Sequence, residues 1–159
     1  MSVAFTKESD AEAVAADLPD RPIPAHANLV TAKGLAQIDS ELAAARAAYD
    51  AARSSDAITS DRSAMARATR DLRYWSARRA TAQLIEAGPR GNTIAFGDRV
   101  TIERGDGRIQ TWHIVGDDEA DPADGSVSYV SPLASAVMGK QVGDVVTLAG
   151  HEVEITAVD

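Results

Sequence analysis

The chain has 159 residues, 45% of them hydrophobic and only 4% aromatic, with no cysteine and a formal net charge of −8. That length holds one or two domains with a thin core rich in alanine. The missing cysteines exclude a disulfide framework and a thiolate metal site, and no apolar run is long enough to span a membrane. The negative charge disfavours general nucleic-acid binding, which needs clustered cations, and favours a protein partner with a basic surface.

The charge is uneven. From Ser60 to Glu86, Arg62, Arg67, Arg70, Arg73, Arg78 and Arg79 outnumber Asp61, Asp71 and Glu86. From Asn92 to Asp159, 12 acids face only Arg99, Arg104, Arg108 and Lys140.

In chain order, residues 1–28 read as an acidic, mostly irregular tail, because Pro19, Pro22 and Pro24 break any helix. A turn or two of helix within 9–17 is the most such a segment would form. The start of the tail lacks the basic region and long apolar run of a secretory signal.

A long helix is predicted from Thr31, a good N-cap residue, to Ser55. Its apolar positions, Leu35, Ile38, Leu42, Ala45, Tyr49 and Ala52, step by threes and fours, as in a coiled-coil seam. A polar interruption with Ile58 inside it follows, then a second seam: Met65, Ala68, Leu72, Trp75 and Ala82, weakened where Arg79 takes an apolar place. Gly88-Pro89 and Gly91 are the expected stop. Residues 29–88 therefore form an antiparallel helical hairpin with its tip near 54–61, each helix burying the other's seam.

From Thr93 the apolar period drops to two. Strands are expected at Arg99–Arg104, Arg108–Val115, Gly125–Val130, Asp144–Leu148 and Glu152–Val158, with turns at Gly105-Asp106-Gly107 and Ala149-Gly150-His151. Ser131 before Pro132 caps a short helix that Gly139 ends near Met138. The fold class is α+β: the hairpin, then a mostly antiparallel sheet domain over 92–159 carrying one short helix.

Several residue sets invite a chemical reading. His26, His113 and His151 have no metal spacing. Asp117, Asp118, Glu119 and Asp121 lack the glycine and terminal glutamate of a calcium loop and read as a solvated acidic loop. Tyr74-Trp75 reads as seam packing more than as a base-stacking pair. Arg62, Arg67, Arg70, Arg73 and Arg78 make either a basic face toward RNA or DNA or a solvated helix face.

The ordered set Leu29-Val30-Thr31, Gly34, Glu41-Leu42, Phe96-Gly97, Ile114-Val115-Gly116, Asp118-Glu119-Ala120-Asp121, Ser131-Pro132 and Gly139-Lys140 resembles the Gre-type transcript cleavage factors of bacteria. The likeness covers roughly 28–159 and is densest in 96–158. It implies an FKBP-like C-terminal domain that grips RNA polymerase at the rim of its secondary channel. Asp121, Ser131, Pro132, Leu133 and Ala134 would be the docking residues, and Arg62, Arg67, Arg70 and Arg73 would face nucleic acid only inside that complex. The resemblance further implies a cytoplasmic, monomeric, non-enzymatic regulator with no metal of its own, any Mg²⁺ belonging to the polymerase.

Cleavage-competent members carry an Asp and a Glu in a GDLxENAEY-like tip, which help hold a second Mg²⁺. Here Arg53–Ala64 has no such motif. In ungapped alignment those acids fall on Ala57 and Ser60, while Asp56 and Asp61 stand one position off. One residue on a helix turns a carboxylate by about 100°. Each arm is also about one heptad shorter than in standard members, roughly 10 Å of reach. The expectation is a channel-docking regulator of elongation, pausing or initiation with weak or no cleavage stimulation. The alternatives are a true cleavage factor using Asp56 and Asp61, a regulator of the nucleoside diphosphate kinase type, and, least favoured, a prolyl isomerase or chaperone lined by Phe96, Trp112 and Tyr129.

Overall fold

A computed structural model describes residues 18–54, 60–88 and 91–159, with the side chains of Ser60 and Asp61 excepted. The described residues divide into a helical unit, 18–27 with 37–81, and a sheet unit, 28–36 with 82–159.

In the helical unit, α1 (Ala32–Ser54) and α2 (Ser60–Thr81) supply the seam. Ile38, Leu42 and Ala45 of α1 are buried, as are Ala68, Tyr74 and Trp75 of α2. Arg79 Nε donates to Asp39, which places the end of α2 beside the start of α1 and makes the pair antiparallel. With small residues on the seam the helices pack closely, and the two aromatic rings of Tyr74 and Trp75, edge to face with centroids 4.9 Å apart, provide its bulk. Arg78 departs from the sequence expectation: it is 1% exposed and engaged, whereas Arg79 is the exposed one. The long Arg78 stem is absorbed by the seam.

The sheet unit opens with β1 (Leu29–Val30), which pairs in parallel with β2 (Gln83–Leu84). Gln83 N–H donates to the Asn28 carbonyl at 2.8 Å, and Ile85 N–H to the Val30 carbonyl at 2.9 Å. This pairing ends α2 at Thr81, several residues before the Gly-Pro stop expected from sequence. Two backbone carbonyls, of Asn28 and Val30, replace the helical acceptors there.

The main sheet contains β3 (Arg99–Arg104), β4 (Ile109–Val115), β5 (Ser126–Ser128), β6 (Val145–Leu148) and β7 (His151–Val158), in the order β5-β4-β3-β7-β6. It is antiparallel except at β4–β5, which run parallel, so it is mixed. Ten intervening residues bearing a 3₁₀ turn at Pro122–Asp124 carry the chain back to start β5 beside His113, and β5 stops at Ser128 because Tyr129 and Val130 enter the turn that leads to the next helix.

The short helix α3 (Pro132–Val137) buries Leu133, Ala134 and Val137 against the sheet. The core comprises these with Ile94, Val100, Ile102, Ile114, Val127, Val146, Val153 and Ile155.

Two backbone irregularities place this core. In the β3–β7 ladder, Thr101 faces Ala157 and Ile102 faces Ile155, so Thr156 is a bulge. Strand side chains alternate, and Ile155 and Val158 would otherwise point to opposite faces; the extra residue returns both to the core side. The Thr156 hydroxyl donates to the Thr101 carbonyl at 3.2 Å and holds the bulge in place. In the β6–β7 turn Ala149 has φ 52° followed by Gly150 at 78°. A left-handed alanine costs about 1 kcal/mol, and Asn-Gly is the preferred pair in such a turn. Ala149→Asn is therefore expected to raise stability by roughly 0.5–1 kcal/mol, read from the urea midpoint at unchanged m-value.

Candidate partner-docking surface

The expected docking residues sit on two neighbouring stretches of the sheet unit. Ser131, with extended backbone, accepts a hydrogen bond from Ala134 N–H at 3.2 Å, and Pro132 occupies the first helical position, where its missing donor costs nothing. Pro132 and Ser135 are exposed, as are Val130 before the helix and Gly139-Lys140 after it. Leu133 and Ala134, expected to dock, have their side chains in the core instead, 8% and 0% exposed. A helix this short packs one whole face on the sheet, so these two act by holding Ser131 and Pro132 in place. Asp121 is exposed; its Oδ1 accepts from Ala123 N–H at 3.1 Å and its own N–H donates to Ser126 Oγ at 2.9 Å.

The acidic loop is not merely solvated, as the sequence alone suggested. Ser128 Oγ donates to Asp117, and Thr31 Oγ1 donates to Glu119 while accepting from Gly34 N–H at 3.0 Å. Thr31 thus caps α1 with the Glu119 carboxylate behind it, an anion at a helix N-terminus where the dipole favours it. A β-carbon at position 34 would lie 2.7 Å from Glu119 Oε2, so any larger residue there has to displace that carboxylate. At Gly116 a β-carbon would lie 2.3 Å from the Leu29 carbonyl oxygen. The separated sequence elements Leu29-Val30-Thr31, Gly34, Gly116 and Glu119 are therefore a single contact region.

Among the described residues no group of three or more His, Asp or Glu side chains is placed to hold a metal ion. His113 Nε2 lies 3.0 Å from the Gly97 carbonyl, which acts as a hydrogen-bond acceptor, and His26 and His151 are exposed. Phe96 meets Tyr129 edge to face at 5.6 Å, and Tyr129 and Trp112 pack on the core. Asp56 lies outside the described residues, as does the side chain of Asp61.

The predicted basic face divides. Arg62, Arg70 and Arg73 share a groove on the helical unit with Arg53 of α1, which sequence reasoning missed. Arg67 is exposed but does not line that groove. The signal for Arg53 was its place in the last turn before the tip, opposite Arg62 on the returning helix.

A capped short helix on a mixed sheet, an acidic loop bonded to the start of a long helix, and a separate pair of antiparallel helices define a two-unit α+β protein. Residues 89–159 match the family "Transcription elongation factor, GreA/GreB, C-term". It is 38% identical over 104 residues to transcription elongation factor GreA of Desulfovibrio desulfuricans, covering 64% of this chain and 59% of that protein. It is also 38% identical over 96 residues to transcription elongation factor GreB of Neisseria meningitidis, covering 57% of this chain and 59% of that one. The chain thus spans little more than half the length of these relatives. A solved structure, GreA factor homolog 1 (Gfh1) of Thermus thermophilus, is similar at 21% identity and a TM-score of 0.40, over 84% of this chain and 99% of that one. Among the described residues no helix is long and apolar enough to cross a membrane.

Proposed function

We propose that this protein is a cytoplasmic regulator of bacterial RNA polymerase. It docks as a monomer at the secondary channel through Asp121 and the Ser131-Pro132 end of α3, and modulates elongation, pausing or initiation without strong stimulation of transcript cleavage. It is not itself an enzyme; any RNA cleavage would be the polymerase's own, on the polymerase's Mg²⁺. One observation carries the reading: residues 89–159 match the family's C-terminal domain, while the tip segment Arg53–Ala64 lacks the acidic motif of the cleavage factors. A domain that docks and an arm that lacks the metal-holding pattern make a channel occupant.

Two measurements test it. Core polymerase should co-purify with the protein, and Pro132→Asp should weaken that association while leaving the unfolding midpoint nearly unchanged, because Pro132 is exposed. Absence of any association overturns the docking. In backtracked complexes the protein should yield little more 3′-end cleavage than polymerase alone. Strong cleavage, abolished by Asp56→Ala with Asp61→Ala, would replace this reading with that of a true cleavage factor.

A further inference from the structure

Residues 18–24, irregular in backbone as expected from the sequence, lie along α2 through several distinct contacts. Asp20 Oδ1 is 3.1 Å from Arg73 Nη1. Arg21 Nη1 is 3.4 Å from Asp71 Oδ1, and its guanidinium carbon stands 3.8 Å from the Tyr74 ring centroid and 5.2 Å from that of Trp75. Arg21 is half-buried, so its stacking on the aromatic pair fixes the point from which the preceding chain departs.

That point is the wall of a groove of about 660 Å³ on the helical unit, lined by Leu18 and Asp20 and by Arg53, Arg62, Arg70 and Arg73. Met65, Ala52 and Ala66 give it an apolar lining. Asp20 supplies the single carboxylate among its lining residues, so four guanidinium groups are left about three charges unmatched. Arg70 Nε is buried with no hydrogen-bond acceptor among the described residues; the Asp71 Oδ1 beside it is 3.8 Å away and also faces Arg21. A buried donor without an acceptor is destabilising, so the groove calls for carboxylates from outside the described residues.

The chain itself carries them. Residues 1–17 lie outside the described part, and their side chains include Glu8, Asp10, Glu12 and Asp17 against Lys7, a net of three negative charges. Asp17 is covalently joined to Leu18 on the groove wall. Residues 62–73 of α2 run roughly 16 Å at about 1.5 Å per residue, and residues 8–17 reach up to about 33 Å when extended, so each of these acids has the length to meet a groove arginine.

We propose that the groove is occupied by the chain's own acidic segment, residues 8–17, delivered by the Arg21 anchor. Its carboxylates accept from Arg70 Nε and neutralise Arg53 and Arg62, as Asp20 neutralises Arg73. An exposed ion pair is weak by itself, but tethering at Leu18 gives the segment an effective concentration in the millimolar range. A partner for this face of the helices must displace a tethered segment first, so weak and non-specific partners are shut out. The inference does not rest on polymerase docking.

The chain has no cysteine, so Ser9→Cys in the full chain accepts a single nitroxide label. At low salt the label should broaden the amide resonances of residues 53, 62, 66 and 70 to less than half their intensity in the reduced, diamagnetic form, the strongest effect in the helical unit. In 1 M salt, where the screening length is about 3 Å, the broadening should fall at least twofold. Asp10→Asn with Glu12→Gln and Asp17→Asn should lower it as much without added salt. Absence of broadening at these amides overturns the proposal, as does broadening that neither salt nor the triple variant reduces. Broadening that arises only between a labelled chain and an unlabelled, isotope-enriched one in a mixture also overturns it, by placing the segment on a second copy.

Discussion

Gly116→Val is expected to destabilise the sheet unit by roughly 3 kcal/mol, at the upper end of what inserted atoms cost in a packed interior. The β-carbon alone would come 2.3 Å from the Leu29 carbonyl oxygen and 3.6 Å from the Val30 Cα, both backbone atoms of β1. Backbone cannot rotate aside as a side chain can, so either β1 leaves β2 or the turn after β4 moves. Gly116 is absent from the positive-φ glycines, so the constraint is space and not backbone conformation. Gly34→Ala is the instructive contrast. Its β-carbon meets the end of the Glu119 side chain at 2.7 Å, which can swing away. That loses the Glu119–Thr31 hydrogen bond, about 1 kcal/mol, while alanine returns about 1 kcal/mol of helix propensity. The net should be near zero. Urea unfolding of the two variants beside the parent separates the cases, and equal losses would refute the distinction.

Ile102→Ala should cost about 3–4 kcal/mol, the usual range for a fully buried isoleucine that leaves a cavity. Ile102 is 0% exposed on β3, between β4 and β7, in register with Gln110 on one side and Ile155 on the other. Its core neighbours Val100, Ile114 and Ile155 are β-branched and held by ladder hydrogen bonds, so collapse into the gap is restricted. Against a typical domain stability of about 5–15 kcal/mol, that loss is large. The check is the unfolding midpoint together with hydrogen exchange of the β3 and β7 amides; a loss below about 1 kcal/mol would mean the core is far more compliant than its packing implies.

What the sequence disclosed depended on whether a signal was periodic or local. The seam through Ile38, Leu42 and Ala45 could be read from its spacing, and the α3 cap from Ser131-Pro132 alone, because helices and caps are written in short stretches. The end of α2 could not. Gly88-Pro89 is the conspicuous breaker, but the helix yields earlier, as Gln83 and Ile85 N–H donate to the Asn28 and Val30 carbonyls, which no local pattern announces. The parallel setting of β5 was equally hidden, since a three-residue strand carries no direction of its own. Among the charges, Arg78 and Arg79 are chemically alike in sequence, and only the rotation of α2 decides which is buried. Residues 18–28, marked as irregular by their prolines and acids, carry no helix or strand, yet the Arg21 guanidinium stacked on Tyr74 pins that backbone, a contact no local pattern announces.

The pairing of Leu29-Val30 with Gln83-Leu84 bears on how such proteins diversify. The chain departs from and returns to adjacent positions on one miniature ladder, so everything between them is, to the sheet unit, a loop. Entropy charges little for lengthening a loop whose ends are already joined. Whole heptads can be removed from both arms in step, or the arm exchanged for another, and the anchorage is untouched. Helix length becomes an adjustable dimension of the molecule, while the sheet unit with its Leu29-Val30 and Gln83-Leu84 ladder stays constant.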